Sequence, residues 1–385
     1  CADSTARRRH VSWMQTLGMF ATTLRSGFVP TVLSRSSWMP MVVTPFVVSL
    51  IFAGAPNVAK SQEYRREVLS PVYRVDKKYR SMMGPQSSTE VQLSDAQGQE
   101  LLWITGYEAT MVGADGRSPQ AQEFMCHSNL DLDPVRHRRA MSAERGISGR
   151  LFTLSQGQFQ IQFPEGFGIP ILSSEALTLT TQVLNLNHDP ANFDVRHRVQ
   201  IKYRRQSELA QPMGPLFQKS VYGLALLEGK DGHYGHDPGT MNGQGCLEKD
   251  NASDHEYKDP YGRRFTGHWV VKPGREVNRT PVTKLLSLPY DARVHYIAVH
   301  LHPFAQSLTL IDKTTKKTVF ASRAENFEKK IGLKRVDYFS SKEGILMPKD
   351  HEYELISVYE NTTAEPQDSM AVMYMYFADP VFKAP

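Results

Sequence analysis

The chain has 385 residues, a length that suits two domains or three small ones. Hydrophobic residues at 40%, with 18 Phe and 16 Tyr, provide material for large cores and exclude a mostly disordered chain. A net charge of +5 and a mean hydropathy of −0.41 exclude a dedicated nucleic-acid binder and a multi-span membrane protein, and three cysteines exclude a disulfide-dense scaffold or a Cys₄ zinc site.

In chain order, residues 1–61 read as a leader. The chain opens on Cys1, as a fragment or an over-extended reading frame would. An apolar stretch over 39–55 follows Arg25 and Arg35 and ends in small residues, the layout of an export signal. Pro40 and Pro45 interrupt it, and a spanning helix needs about 20 apolar residues. The expectation is a cleaved signal, with cleavage between Ala55 and Ser61, and a secreted or periplasmic mature chain without a stable membrane span; an anchor is the other reading. From residue 62 on, short β-rich runs recur between turn signals, at 90–93, 101–106, 159–163, 177–186 and 199–203. The style returns at 269–271, 295–302, 308–312, 352–359 and 370–377. The fold class read from this spacing is all-β: two packed antiparallel β-sandwich domains of jelly-roll type, 62–210 and 211–385. The boundary falls in the polar, proline-bearing stretch 206–215, and the Gly-, Asp-, Asn- and His-rich stretch 229–264, which holds Cys246, reads as a long loop.

Two runs carry candidate chemistry. In Arg293-Val-His-Tyr-Ile-Ala-Val-His300-Leu-His302, a strand places His300 and His302 on one face with Tyr296 and Ala298, and Ile297, Val299 and Leu301 on the other. Two adjacent imidazoles suit a shared metal; the bland reading is two partly exposed or hydrogen-bonded histidines. The methionine-rich run Asp368-Ser-Met370-Ala-Val-Met373-Tyr374-Met375-Tyr-Phe377 is core filler by habit, yet a thioether is also a soft ligand that suits copper, above all Cu(I).

Taken together, these runs resemble the copper type II, ascorbate-dependent monooxygenases, the family of peptidylglycine α-hydroxylating monooxygenase and dopamine β-monooxygenase. His300-Leu-His302, the turn at Asn361-Thr-Thr, and Asp368-Ser-Met370 followed by Tyr374 stand in the family's order, and Trp269-Val-Val-Lys-Pro-Gly-Arg275 is similar to its upstream strand and turn. The resemblance covers roughly 90–382 and is strongest from Trp269 onward. It implies a copper held by His300, His302 and Met370, with Tyr374 assisting the substrate. It also implies C–H hydroxylation of a small molecule with O₂ and with ascorbate or another external reductant.

The first half departs from the pattern. The family's His-His pair falls at Cys126-His127, and its later His falls at Leu184 or Leu186, with His188 close by. One copper is therefore expected, the second site being degraded, and His127 is retained as a candidate metal residue. Cys126 is either a ligand or the disulfide partner of Cys246. The arginine that binds a peptide carboxylate is replaced by Ala298, so a glycine-extended peptide is not the expected substrate. The alternative function is a non-catalytic copper-binding or interaction protein on the same scaffold. No nucleic-acid partner is expected, and the oligomeric state is open.

Among the remaining features, His233 and His236 read as solvated loop residues. His268 reads as core or interface, and His295 faces away from His300. The basic clusters 136–139, 196–198 and 204–205 read as solvated faces. Asn251, Asn278 and Asn361 match the glycosylation acceptor pattern.

Overall fold

Period-two alternation of β-branched, aromatic and polar residues builds strands along more than half of the described residues. The computed structural model describes residues 62–94, 99–141, 148–226, 256–258 and 264–385. The expected leader and its cleavage point lie outside them, as do Cys246, His233, His236 and Asn251. The protein is all-β, as the spacing of the runs predicts. Among the described residues two short α-helices interrupt it, Pro134–Ala140 and Thr283–Leu286. The first has a local cause: Asp133 caps it by accepting from the Val135 and Arg136 N–H groups, and Pro134 opens it where no N–H is needed.

The strands of the described residues form four sheets. The largest runs, neighbour to neighbour, through Tyr64–Leu69, Phe193–Arg205, Leu101–Gly113, Phe167–Leu172, Gly214–Tyr222, Gln367–Ala378, Ala292–Leu301 and Phe339–Met347. His268–Val271 joins it on the strand Gln367–Ala378. Its pairings are antiparallel except between Phe167–Leu172 and Gly214–Tyr222. A four-stranded sheet (Gln86–Val91, Leu177–Val183, Met125–Leu132, Arg150–Leu154) shares one core with the first part of the large sheet. A five-stranded sheet (Gly274–Pro281, Tyr353–Asn361, Ala305–Asp312, Lys317–Asn326, Leu333–Val336) shares a second core with its last part. Within 229–264, where a long loop was expected, Glu256–Lys258 and Arg264–Thr266 pair with each other, and the latter also pairs with Ala225–Leu226.

Three strands of the large sheet face both cores. Along Gln367–Ala378, Met370, Val372, Tyr374 and Tyr376 enter the first core, and Ala371, Met373, Met375 and Phe377 enter the second. Along Ala292–Leu301, Tyr296 and Ala298 enter the first, and Ile297, Val299 and Leu301 the second. The strand Gly214–Tyr222 does the same with Leu216 and Tyr222 against Phe217 and Val221. This explains why the closing strand is apolar at nearly every position: neither of its faces meets water. Each buried Val, Met or Phe among them contributes roughly 1.5–3 kcal/mol by leaving water. The described residues accordingly make one compact unit with two large cores and a small third cluster around Trp103.

Candidate metal centre

The histidine strand and the closing strand lie side by side, with His300 opposite Val372 and Leu301 opposite Ala371. The ladder ends at Leu301, and His302 and Met370 come next on the two strands. On the other side of the closing strand, Met370 is paired with His268. Directly opposed residues share a face, with Cβ atoms about 4.5–5.5 Å apart, so His268 stands beside Met370, and the bridge through Tyr359 keeps His302 near both. Tyr359 fixes the spacing: its hydroxyl accepts from the His302 N–H at 3.3 Å and donates to the Met370 carbonyl. The ring centroids of His300 and His302 are 5.3 Å apart and at right angles, and those of His302 and His268 are 5.6 Å apart. All four side chains are buried.

His300 is 2% exposed, and neither of its ring nitrogens has a hydrogen-bond partner. An imidazole left in that condition loses hydration without replacement. Burial, then the neighbouring His302, His127 and Arg150, hold its pKa well below the ordinary histidine value. The ring is therefore neutral at physiological pH, with a lone pair available. The bland expectation of two partly exposed or hydrogen-bonded histidines does not describe it. His302 does have a polar neighbour, with Nε2 lying 3.4 Å from the Ser81 hydroxyl. Among the described residues, no three of His, Cys, Asp or Glu form a group able to hold a metal by themselves. A site here needs the thioether.

The residues fit copper on the chemistry of the donors. Two imidazoles that share one tetrahedral ion through single nitrogens put their ring centres about 5 Å apart, close to the separation found. A soft sulfur at Met370 completes a set suited to Cu(I). A cavity of about 260 Å³ opens beside the pair, lined in part by His300, His302, Cys126, Ser81, Gln156 and Asp368. Tyr374 lies opposite Ala298, one step along the same face from His300, and is buried in the first core.

The first-half candidates are distributed differently. His127 is wholly buried on the strand Met125–Leu132, opposite Gln182. Cys126 is buried with its Sγ 3.9 Å from the Ser81 hydroxyl, so one serine lies within reach of both Cys126 and His302. Its pairing with Cys246 lies outside the described residues. Leu184 and Leu186, at the position expected of the family's third histidine, line the same cavity. His188 instead lies 3.5 Å from Glu123.

Some expectations are corrected. His268 is buried in the core, as expected, but beside Met370, a place that was not expected. Only its register partner on the closing strand, which spacing cannot reveal, would have identified it. Tyr359 was missed for the same reason. His197, expected on a solvated basic face, is fully buried, because successive strand residues point to opposite faces. His137 is buried too, bound to Glu175 at 2.8 Å. His295 stays out of the site as expected, at a bulge, stacked on Phe167 and 3.1 Å from the Ser341 carbonyl. Asn361 is no surface acceptor for a glycan: it is buried and donates to the Val271 and Glu365 carbonyls.

No family model and no curated protein matches the chain. Among solved structures it is similar to the major capsid protein P2 of bacteriophage PM2, at 9% identity and a TM-score of 0.29, covering 82% of this chain and 100% of that one. It is also similar to the structure of Sulfolobus turreted icosahedral virus, at 8% identity and a TM-score of 0.31, covering 84% of this chain and 92% of that one. A likeness of this degree carries no argument about the site.

Proposed function

We propose that the chain is an exported, copper-dependent monooxygenase-like protein that holds one copper ion with His300, His302 and Met370. The observation that carries this reading is a buried His300 whose two ring nitrogens have no hydrogen-bond partner, on the same sheet face as His302 and Met370. Bound there, copper would supply one-electron redox chemistry and O₂ activation for hydroxylating a C–H bond of a small substrate, with ascorbate or another reductant as electron source. The chain's own contribution is positional. Tyr359 bridges His302 and Met370, and Gln158 ties the histidine strand to the first half by accepting from the Val299 N–H at 3.3 Å. Burial on both faces keeps bulk water from the donors. The adjoining cavity is where a small substrate would approach, with Ser81 and Asp368 as polar contacts.

The non-catalytic alternative has one observation in its favour: Leu184 and Leu186, one of which the resemblance puts where the family has a second-copper histidine, line the cavity with apolar side chains. Copper titration of metal-free protein followed by X-ray absorption tests both readings. Expected is one Cu(I) per chain with a sulfur scatterer that Met370→Leu removes, and loss of most binding in His300→Ala. A protein that retains no copper overturns the proposal. Ascorbate-dependent O₂ uptake coupled to product supports the enzyme, and reoxidation without product supports the binding protein.

A further inference from the structure

A second cavity, of about 910 Å³, lies on the far side of the turn that holds Gln156 and Gln158, away from the histidines. Its volume falls in the range of about 300–1,000 Å³ usual for small-molecule sites. One wall comes from the strand Gln160–Gln162 and its preceding turn, and the other from Arg335 to Ser340. The walls are held at a fixed spacing. Gly157, at φ +86°, accepts from the Val336 N–H at 3.2 Å, and a Cβ there would meet the Arg335–Val336 backbone at 3.2 Å.

On the second wall stands Tyr338, an aromatic ring 56% exposed. It is not loose: it stacks on the buried Tyr296 at 5.5 Å and 16° between planes. Tyr296 in turn is fixed by an edge contact with Phe163 and by the Gln158 amide donating to its hydroxyl at 3.2 Å. One face of Tyr338 is thus anchored, leaving a flat, rigid, apolar surface. Gln160, exposed on the other wall, has a side-chain amide that offers both a donor and an acceptor. The charged residues of the lining, Arg335 and Asp337, neutralise each other at 3.1 Å.

We infer that this cleft binds a neutral oligosaccharide. A sugar ring presents a C–H face and a rim of hydroxyls. An immobilised aromatic plate matches the first, and amides together with a paired Arg–Asp match the second. An anionic ligand would find no net positive charge in the lining, and a wholly apolar one would strip the amide of water without return. The inference is independent of the copper reading.

The test is calorimetric and NMR titration of the full chain with cellohexaose, chitohexaose, maltohexaose and xylohexaose, with a heparin-derived hexasaccharide as the charged comparator. At least one neutral hexasaccharide should bind. Tyr338→Ala should weaken it by about tenfold or more, the effect of losing one ring contact, and Tyr338→Phe should restore it. Gln160→Ala, on the opposite wall, should weaken the same ligand without altering the circular dichroism. Failure of all four neutral hexasaccharides, stronger binding of the heparin fragment, or unchanged affinity in Tyr338→Ala would overturn the inference.

Discussion

At the scale of the residue, burial decides more here than identity does. His197 lies between Arg196 and Arg198, yet it is fully buried, with the Tyr73 ring edge-on at 6.0 Å. Burial, with His127 nearby, lowers its pKa from 6.5 to about 3. In the unfolded chain the same imidazole takes up a proton below pH 6.5. At neutral pH both states are neutral, and the group contributes no pH dependence. As the pH falls from about 6.5 towards 3, only the unfolded state gains a proton, so stability is lost at up to roughly 1.4 kcal/mol per pH unit. His197→Phe should therefore abolish about one proton's worth of the slope of unfolding free energy between pH 6 and 4, as read from urea titrations at each pH. The same contrast was invisible in the sequence at His300. Its parity along the strand was legible, but whether anything would satisfy its nitrogens depended on which side chains the first half brought against it.

Elements carry a second lesson, seen at the turn before the closing strand. Asn361-Thr-Thr has the spelling of a glycan acceptor and also of a family landmark. Its structural role is to close the turn: the amide donates to Val271 O at 3.1 Å and Glu365 O at 2.8 Å, and the side-chain oxygen accepts from Thr363 N–H and hydroxyl. Losing four such bonds in a buried place should cost about 2–3 kcal/mol in Asn361→Ala, measured as a lowered midpoint in chemical unfolding. Because the turn aims Gln367–Ala378 past His268–Val271, the same variant should also weaken copper binding several-fold, which equilibrium competition with a Cu(I) chelator would register. The strands themselves were readable from alternation. The bulge at His295 and the pairing of residues 256–258 with 264–266 were not, since both are settled by partner strands rather than by local pattern.

For the whole molecule, the two-faced strands couple the cores. A strand whose odd residues fill one core and whose even residues fill the other cannot leave one without disturbing its partner. Calorimetry should therefore record one cooperative transition for the two cores together. Leu130→Ala in the first core and Met375→Ala in the second should each lower that same transition, by about 2–5 kcal/mol. Two separated transitions, each moved by one substitution, would contradict the coupling. A polar latch reinforces it: Gln156 accepts from the Leu333 N–H at 3.0 Å, Asn187 exchanges two hydrogen bonds with Ile331, and Lys330 pairs with the buried Glu123.

The amino-acid sequence alone determined the class of the fold, the parity of the histidine strand and the apolar character of the closing strand. Each of these follows from the two-residue period of an extended chain, a local property. The rest was decided only when distant segments met: His268 level with Met370, Tyr359 bridging His302 and Met370, leucines facing the histidines from the first half, and Tyr338 set flat on Tyr296. Such contacts join residues far apart in the chain, and sheet register, which the residues of one strand do not encode, brings them together.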